Sequence, residues 1–275
     1  MSDVPPVEPR DAATVLLLRE AAHAFEIFMV KRHAKSGFMA GAYVFPGGTL
    51  DLADHGWERV SGRNGAEAAA LLGEADPAKS LALHVAAIRE TFEEAGVLLA
   101  DGAQQVDLSA TRERLNGGAD FGALAHEHAL TLRADLLTPW SRWVTPAFER
   151  RRYDARFFLA RAPGEQRAEH DKIEVTEGAW LSPDAALERF EDGSIQLPPP
   201  TLRTIEQLRA HKSIDEAFAA AAAAERPLPV QPHFVQLDVP TLALPGDPEH
   251  PLRERRIGGS SRFQLIEGRF RSTDP

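Results

Sequence analysis

The chain has 275 residues, 43% of them hydrophobic and 26% charged, a composition that fits a folded globular protein and excludes a disordered, collagen-like or rod-like chain. It has no cysteine, which rules out disulfides, thiolate metal sites and cysteine nucleophiles. With 31 Lys+Arg against 41 Asp+Glu the net charge is −10, so the molecule offers no general attraction to nucleic acid or anionic membrane, and an anionic substrate needs a local device to overcome the field.

The first ten residues mix prolines and acids without an apolar stretch, and no apolar run approaches the ~18 residues of a membrane span. The expectation is a soluble, cytoplasmic protein with neither nucleic acid nor membrane as partner. Residues 13–19 and 25–31, rich in apolar and β-branched side chains, predict two strands. A loop at 37–41 precedes a short strand over 42–46, which stops at Pro46-Gly47-Gly48. Paired glycines let a ligand approach the backbone, and they equally suit a plain turn. Residues 49–76 read as a polar, partly helical excursion. A helix then starts with Asp76 as N-cap and Pro77 in the first turn, and ends at Gly96. Its apolar stripe is Leu81, Val85, Ile88, Phe92 and Ala95.

Further helices are predicted over 121–137, 182–190, 201–212 and 213–225, and strands over 156–161 and 173–181. From Arg226 the chain is proline-rich, with β-like pieces at 233–239 and 262–270 and a possible turn at Glu267-Gly268. The irregular alternation implies an α/β or α+β fold with a mixed sheet.

On the helix ending at Gly96, Glu90, Glu93 and Glu94 fall at i, i+3 and i+4 and share one face, away from Val85, Ile88 and Phe92. On an exposed helix such carboxylates repel by ~0.2–0.5 kcal/mol per pair. Two readings stay open on the residues alone. One is a solvated acidic face, with Arg89 offsetting part of the repulsion. The other is an oxygen cluster built for a hard divalent cation.

The segment Arg89-Glu90-Thr91-Phe92-Glu93-Glu94-Ala95-Gly96-Val97, with Gly48 and Asp54 upstream, resembles the Nudix box G-x5-E-x7-R-E-U-x-E-E-x-G-U. It departs in three ways: Thr91 holds an aliphatic position, Asp54 replaces the glutamate, and 34 residues separate Asp54 from Arg89 where the box has seven. A branch of Nudix proteins that includes the peroxisomal coenzyme A diphosphatases carries such an insertion. Segments 36–54, 86–100, 140–160, 177–183 and 197–208 resemble that branch as well, so that the likeness runs from about Ala13 to Leu208.

The resemblance implies a Nudix-type α/β/α sandwich over residues 1–212, with an insertion at about 55–76, which would serve as a lid, a dimer contact or mere decoration. Residues 213–275 follow as a C-terminal extension, packed on the core or partly independent. It implies Mg²⁺ or Mn²⁺ held by Glu90, Glu93 and Glu94, with Glu93, Glu94 and Arg89 catalytic and Asp54, one methylene shorter than glutamate, orienting Arg89. Gly47 and Gly48 would bring backbone to the site, and Arg32 would line the pocket. Arg151 and Arg152, in the basic run 150–152, would grip a substrate phosphate, or else pair with neighbouring acids in a solvated turn. Tyr153, Trp140 or Trp143 would stack on an adenine. Glu174 and Glu177 are positioned as possible general bases or as surface carboxylates, and Glu94 is a third option.

The implied activity is metal-dependent hydrolysis of a diphosphate linkage. Coenzyme A or acyl-CoA is the leading substrate, giving 3′,5′-ADP and a 4′-phosphopantetheine species, and a homodimer is possible. ADP-ribose or NADH is the alternative substrate, and a non-catalytic binding module the alternative role. Other apparent motifs carry no chemistry: His126-Glu127-His128 has the wrong spacing for a zincin helix, Ser36 and Ser182 lack a nucleophile elbow, and Gly47-Gly48 is no phosphate loop.

Overall fold

A computed structural model describes residues 7–22, 24–33, 41–170 and 175–275. The chain opens with β1 (Arg10–Ala21), β2 (Ala24–Arg32), β3 (Tyr43–Val44) and β4 (Gly47–Thr49). The insertion contributes β5 (Val60–Ser61) and α1 (Gly65–Leu72), and the glutamate-bearing helix is α2 (Pro77–Ala95). After it come β6 (Ala100–Asp101), α3 (Leu108–Asn116), α4 (Phe121–Glu127) and β7 (Thr131–Arg133). Next are β8 (Thr138–Val144), β9 (Tyr153–Arg161), β10 (Val175–Leu181), α5 (Pro183–Glu191), α6 (Pro199–Leu208) and α7 (Ile214–Ala223). The chain closes with β11 (Pro229–Val230), β12 (His233–Gln236), β13 (Pro240–Ala243), β14 (Arg262–Ile266) and β15 (Arg269–Thr273).

The principal sheet has eight strands in the order β10-β2-β1-β9-β8-β11, with β3 paired to β2 and β4 to β1. It is mixed: β1 runs antiparallel to β2 and β4 and parallel to β9. The apolar run 15–18 is continuous because β1 is buried on both faces. Ala13, Val15 and Leu17 enter one core with α2, and Leu16 and Leu18 enter a second core with α5, α6 and α7. This is the expected α/β/α sandwich.

Helix α2 begins and ends where its caps require. Asp76 Oδ1 accepts from the amides of Ala78 and Lys79 at 2.9 and 3.2 Å, and Gly96 closes the helix at φ +70°. Its burial exceeds the single stripe read from the sequence. Residues from Ala82 to Arg89 are all buried, while Leu81 is only half-buried, because the insertion and α3–α4 cover the face turned from the sheet.

A helix over 121–137 does not form. It stops at Glu127, Ala129 adopts φ +52°, and Leu130 and Leu132 are buried as β7 joins β5 and β6 in a three-stranded sheet. A left-handed residue cannot continue a right-handed helix. Nor is the insertion mere decoration. Arg63 Nη1 reaches His84 Nε2 at 3.0 Å and the Leu137 carbonyl at 2.8 Å. Glu74 pairs with buried Arg156 and, at 3.1 Å, with Arg142.

The C-terminal chain forms a four-stranded sheet, β12-β13-β14-β15, whose Leu242 and Phe263 enter the same core as α6. The Glu267-Gly268 turn is confirmed, with both residues at positive φ (+50° and +76°), as a two-residue hairpin requires. Among the described residues no helix is long and apolar enough to cross a membrane.

Candidate active site

The site forms where β4 meets α2. Gly47 donates its amide to Glu94 Oε2 at 2.9 Å. A Cβ at Gly48 would collide with the Glu90 carboxylate, and one at Gly47 with the backbone of β1. Close approach, rather than a turn alone, therefore demands the two glycines.

Arg89 is the hub. Its Nε and Nη2 donate to Asp54 Oδ1 and Oδ2 at 2.8 and 2.9 Å, a bidentate pair. Nη2 also donates to the Thr49 carbonyl at 3.1 Å, and Nη1 donates to Glu90 Oε1 at 2.9 Å and Glu93 Oε2 at 3.1 Å. Asp54 reaches despite its missing methylene because it ends a 3₁₀ turn (Leu52–Asp54) that brings its backbone close. Its Oδ2 takes a further hydrogen bond from the Asp51 amide at 2.8 Å. The pair is buried, with Asp54 at 1% exposure. Burial alone would favour neutral guanidine, but the Asp54 hydrogen bonds and the charges of Glu90, Asp54 and Glu93 outweigh it and hold Arg89 above its ordinary range.

Arg89 and the Gly47 amide engage the three glutamates and offset their mutual repulsion. Among the described residues, no group of three acidic or His side chains is arranged to hold a metal ion. The donor chemistry nonetheless suits a hard cation. The carboxylate oxygens crowd a backbone that has no side chain at Gly48 to fill the space.

A cavity of about 860 Å³ opens from this cluster. Glu90, Glu93, Glu94, Arg89, Gly47 and Gly48 line it, and so does Arg32. Sequence reasoning missed Arg10, Asp51 and Glu149, which line it too, as well as the residues that the C-terminal sheet contributes. Asp51 sits beside Asp54 in the box loop and was within reach of the motif, whereas nothing local marks Arg10 or Glu149. Trp143 and Tyr153 line the cavity, but Trp140 does not; its ring packs edge-on against His211 at 5.9 Å.

Several expected residues stand elsewhere. Arg152 is buried and donates to the carbonyls of Val7 at 2.6 Å and Thr145 at 3.2 Å, which straps the chain start to the β8–β9 connection, and it lines a side pocket rather than the main cavity. Arg151 lines a side pocket of about 400 Å³, which shares Arg10 and Tyr153 with the main cavity. Glu177 does not line the cavity. It pairs with Lys31 at 3.6 Å, and its charge adds to burial in pushing the Tyr43 hydroxyl up to about 12. Glu174, Ser36 and residues 37–40 of the predicted loop lie outside the described residues.

Comparison with known proteins decides the family. The NUDT19 Nudix domain model matches residues 66–208. The chain belongs to the Nudix family. Among its relatives, the acyl-coenzyme A diphosphatase NUDT19 of Gallus gallus is 30% identical, over 88% of this chain and 80% of the relative. The Homo sapiens protein of that name is also 30% identical, over 82% and 72%. Against the Xenopus laevis protein the identity is again 30%, but the match spans 70% of this chain and only 62% of the relative's length. A crystal structure of a Nudix hydrolase from Alicyclobacillus acidocaldarius superposes with a TM-score of 0.61 at 26% identity, covering 80% of this chain and 99% of that one.

Proposed function

We propose that this Nudix protein hydrolyses the diphosphate linkage of coenzyme A or its acyl thioesters, releasing 3′,5′-ADP and (acyl-)4′-phosphopantetheine. The observation that carries this reading is the Arg89-centred glutamate cluster opening into a cavity of about 860 Å³. The name and extent of the NUDT19 relatives support the substrate class.

Glu90, Glu93 and Glu94 would hold Mg²⁺ or Mn²⁺. What such a cation supplies when bound is a lower pKa for a water ligand and charge stabilisation at the attacked phosphoryl group. The chain's own residues do the rest. Arg89, fixed by Asp54, sets the positions of Glu90 and Glu93. The Gly47 amide fixes Glu94. Arg10 and Arg32 supply positive charge for substrate phosphates, the local device that a −10 chain needs. The Glu93–Glu94 pair takes the proton of the attacking water, with Glu93 the most exposed of the three glutamates.

Incubation with coenzyme A and Mg²⁺ or Mn²⁺ tests this through the release of 3′,5′-ADP. Turnover of ADP-ribose or NADH without 3′,5′-ADP from coenzyme A would overturn the substrate and leave the chemistry. Full activity in Glu93→Gln or Glu94→Gln would overturn the catalytic assignment.

A further inference from the structure

The cavity has two chemically different ends, and the C-terminal sheet makes the second. Phe234, Leu242 and Phe263 are register partners across β12, β13 and β14, and Leu265 and Phe270 across β14 and β15. Register partners share a face, and Phe263 and Leu265 are two residues apart, so all five lie on one face. The other face carries Val235, Thr241, Gln264 and Arg271. Phe263 is fully buried in the core, and the remaining four line the cavity. From Pro198 onward every lining residue is apolar except Thr201, and several are prolines, which have no amide to offer.

Across from this face stands Phe148, in the connection between β8 and β9. Its ring meets Phe234 edge-on with centroids 5.6 Å apart. These two rings remain 58% and 45% exposed, and they are among the few large apolar side chains the described structure leaves to solvent. Paired, exposed aromatic rings on a cavity wall offer apolar surface that a ligand in the cavity can cover. The arm has no charged or amide side chain from the C-terminal sheet with which to read the edge of a base.

We propose that this arm holds the acyl chain of an acyl-coenzyme A substrate, and that Phe148, Phe234 and Phe270 determine its selectivity for chain length. The inference rests on the reading that the site acts on coenzyme A derivatives, and it adds a role for residues 229–273, which lie beyond the region matched by the family model. The acyl group lies at the pantetheine end, remote from the diphosphate, so its burial raises substrate affinity without altering the bond that breaks.

The test is a series of substrates that share one product. The full chain is assayed with Mg²⁺ on coenzyme A and on its acetyl, hexanoyl and dodecanoyl thioesters, each read as 3′,5′-ADP. Burial of a methylene corresponds to about a fourfold gain in kcat/KM, which should persist along the series until the arm is full. The ratio of kcat/KM for dodecanoyl-CoA to that for free coenzyme A should fall at least tenfold in Phe148→Ala and in Phe234→Ala. Both positions are exposed enough that folding should survive, and circular dichroism checks it. A wild-type rate that does not depend on chain length would overturn the proposal. So would variants that depress every substrate by one factor, because the rings would then serve the shared nucleotide portion. Failure to cleave any member of the series, with ADP-ribose or NADH still turned over, would instead overturn the coenzyme A reading beneath it.

Discussion

Replacing Asp54 with alanine removes the partner of a buried guanidinium. Asp54 accepts two hydrogen bonds from Arg89 and one from the Asp51 amide, all between 2.8 and 2.9 Å, at a position only 1% exposed. Hydrogen bonds to a charged group contribute about 1.5–3 kcal/mol each, and breaking a buried pair from one side costs about 3–5 kcal/mol. Arg89 keeps Glu90, Glu93 and the Thr49 carbonyl, so the loss should fall at the lower end, about 3 kcal/mol. Asp54→Asn, which keeps the shape and one acceptor, should lose about half of that. Urea unfolding at neutral pH measures both. The activity of Asp54→Ala should drop by more than its stability explains, since the released guanidinium is drawn further onto Glu90 and Glu93. An Asp54→Ala variant within 1 kcal/mol of wild type would refute the view that this pair clamps the box loop to α2.

The remaining predictions concern other parts of the fold. Gly48→Ala should lower kcat by about a hundredfold or more, because its methyl group must displace the Glu90 carboxylate, and a 1 Å misplacement at a site is that costly. Buried His84 is held down to about 4 by desolvation, below its usual 6.5. Between those values the unfolded chain binds a proton that the folded one refuses, so stability should fall as pH drops from 6.5 to 4, by about 3 kcal/mol in total. Denaturant midpoints across that range, compared with His84→Gln, should show the slope vanish in the variant. Asp11 and Glu74 are shifted below their ordinary values, each against a desolvation penalty, chiefly by Arg156; their contribution should be lost only at still lower pH. Glu74→Ala leaves Arg156 and Arg142 short of a carboxylate and should cost about 2–4 kcal/mol. Hydrogen exchange should then rise first in residues 55–76, and uniform exchange across the molecule would count against Glu74 as the anchor of the insertion.

What the sequence disclosed depended on how far each signal had to reach. Helix α2 was legible to the residue because Asp76, Pro77 and Gly96 act within one turn of its ends. The glutamate cluster was legible because i, i+3 and i+4 are helix geometry. The clamp between Asp54 and Arg89 came only from the resemblance, for no local rule joins residues 35 positions apart. The helix expected over 121–137 failed because Ala129 turned the chain, Leu130 was buried and Leu132 was gained by a strand. Arg152 read as a surface cation, but burial spent its donors on carbonyls, which composition cannot reveal. The β-character of residues 233–239 and 262–270 was visible, while their place on the cavity wall was not, since it is set by packing against α6 and the core.

The Asp54–Arg89 clamp also bears on how such motifs vary. Even as a flexible connection, the step from the family's seven residues to the 34 found here would add only about 1.4 kcal/mol of closure entropy, less than the clamp itself is worth, and here β5, α1 and the first turns of α2 order that stretch. The motif is therefore a knot tied in space rather than a spelling, and its thread can be let out at this one point while the chemistry stays still. Proteins that share the active centre should differ most in chain length between these two residues, and a search for the motif at fixed spacing would pass them by.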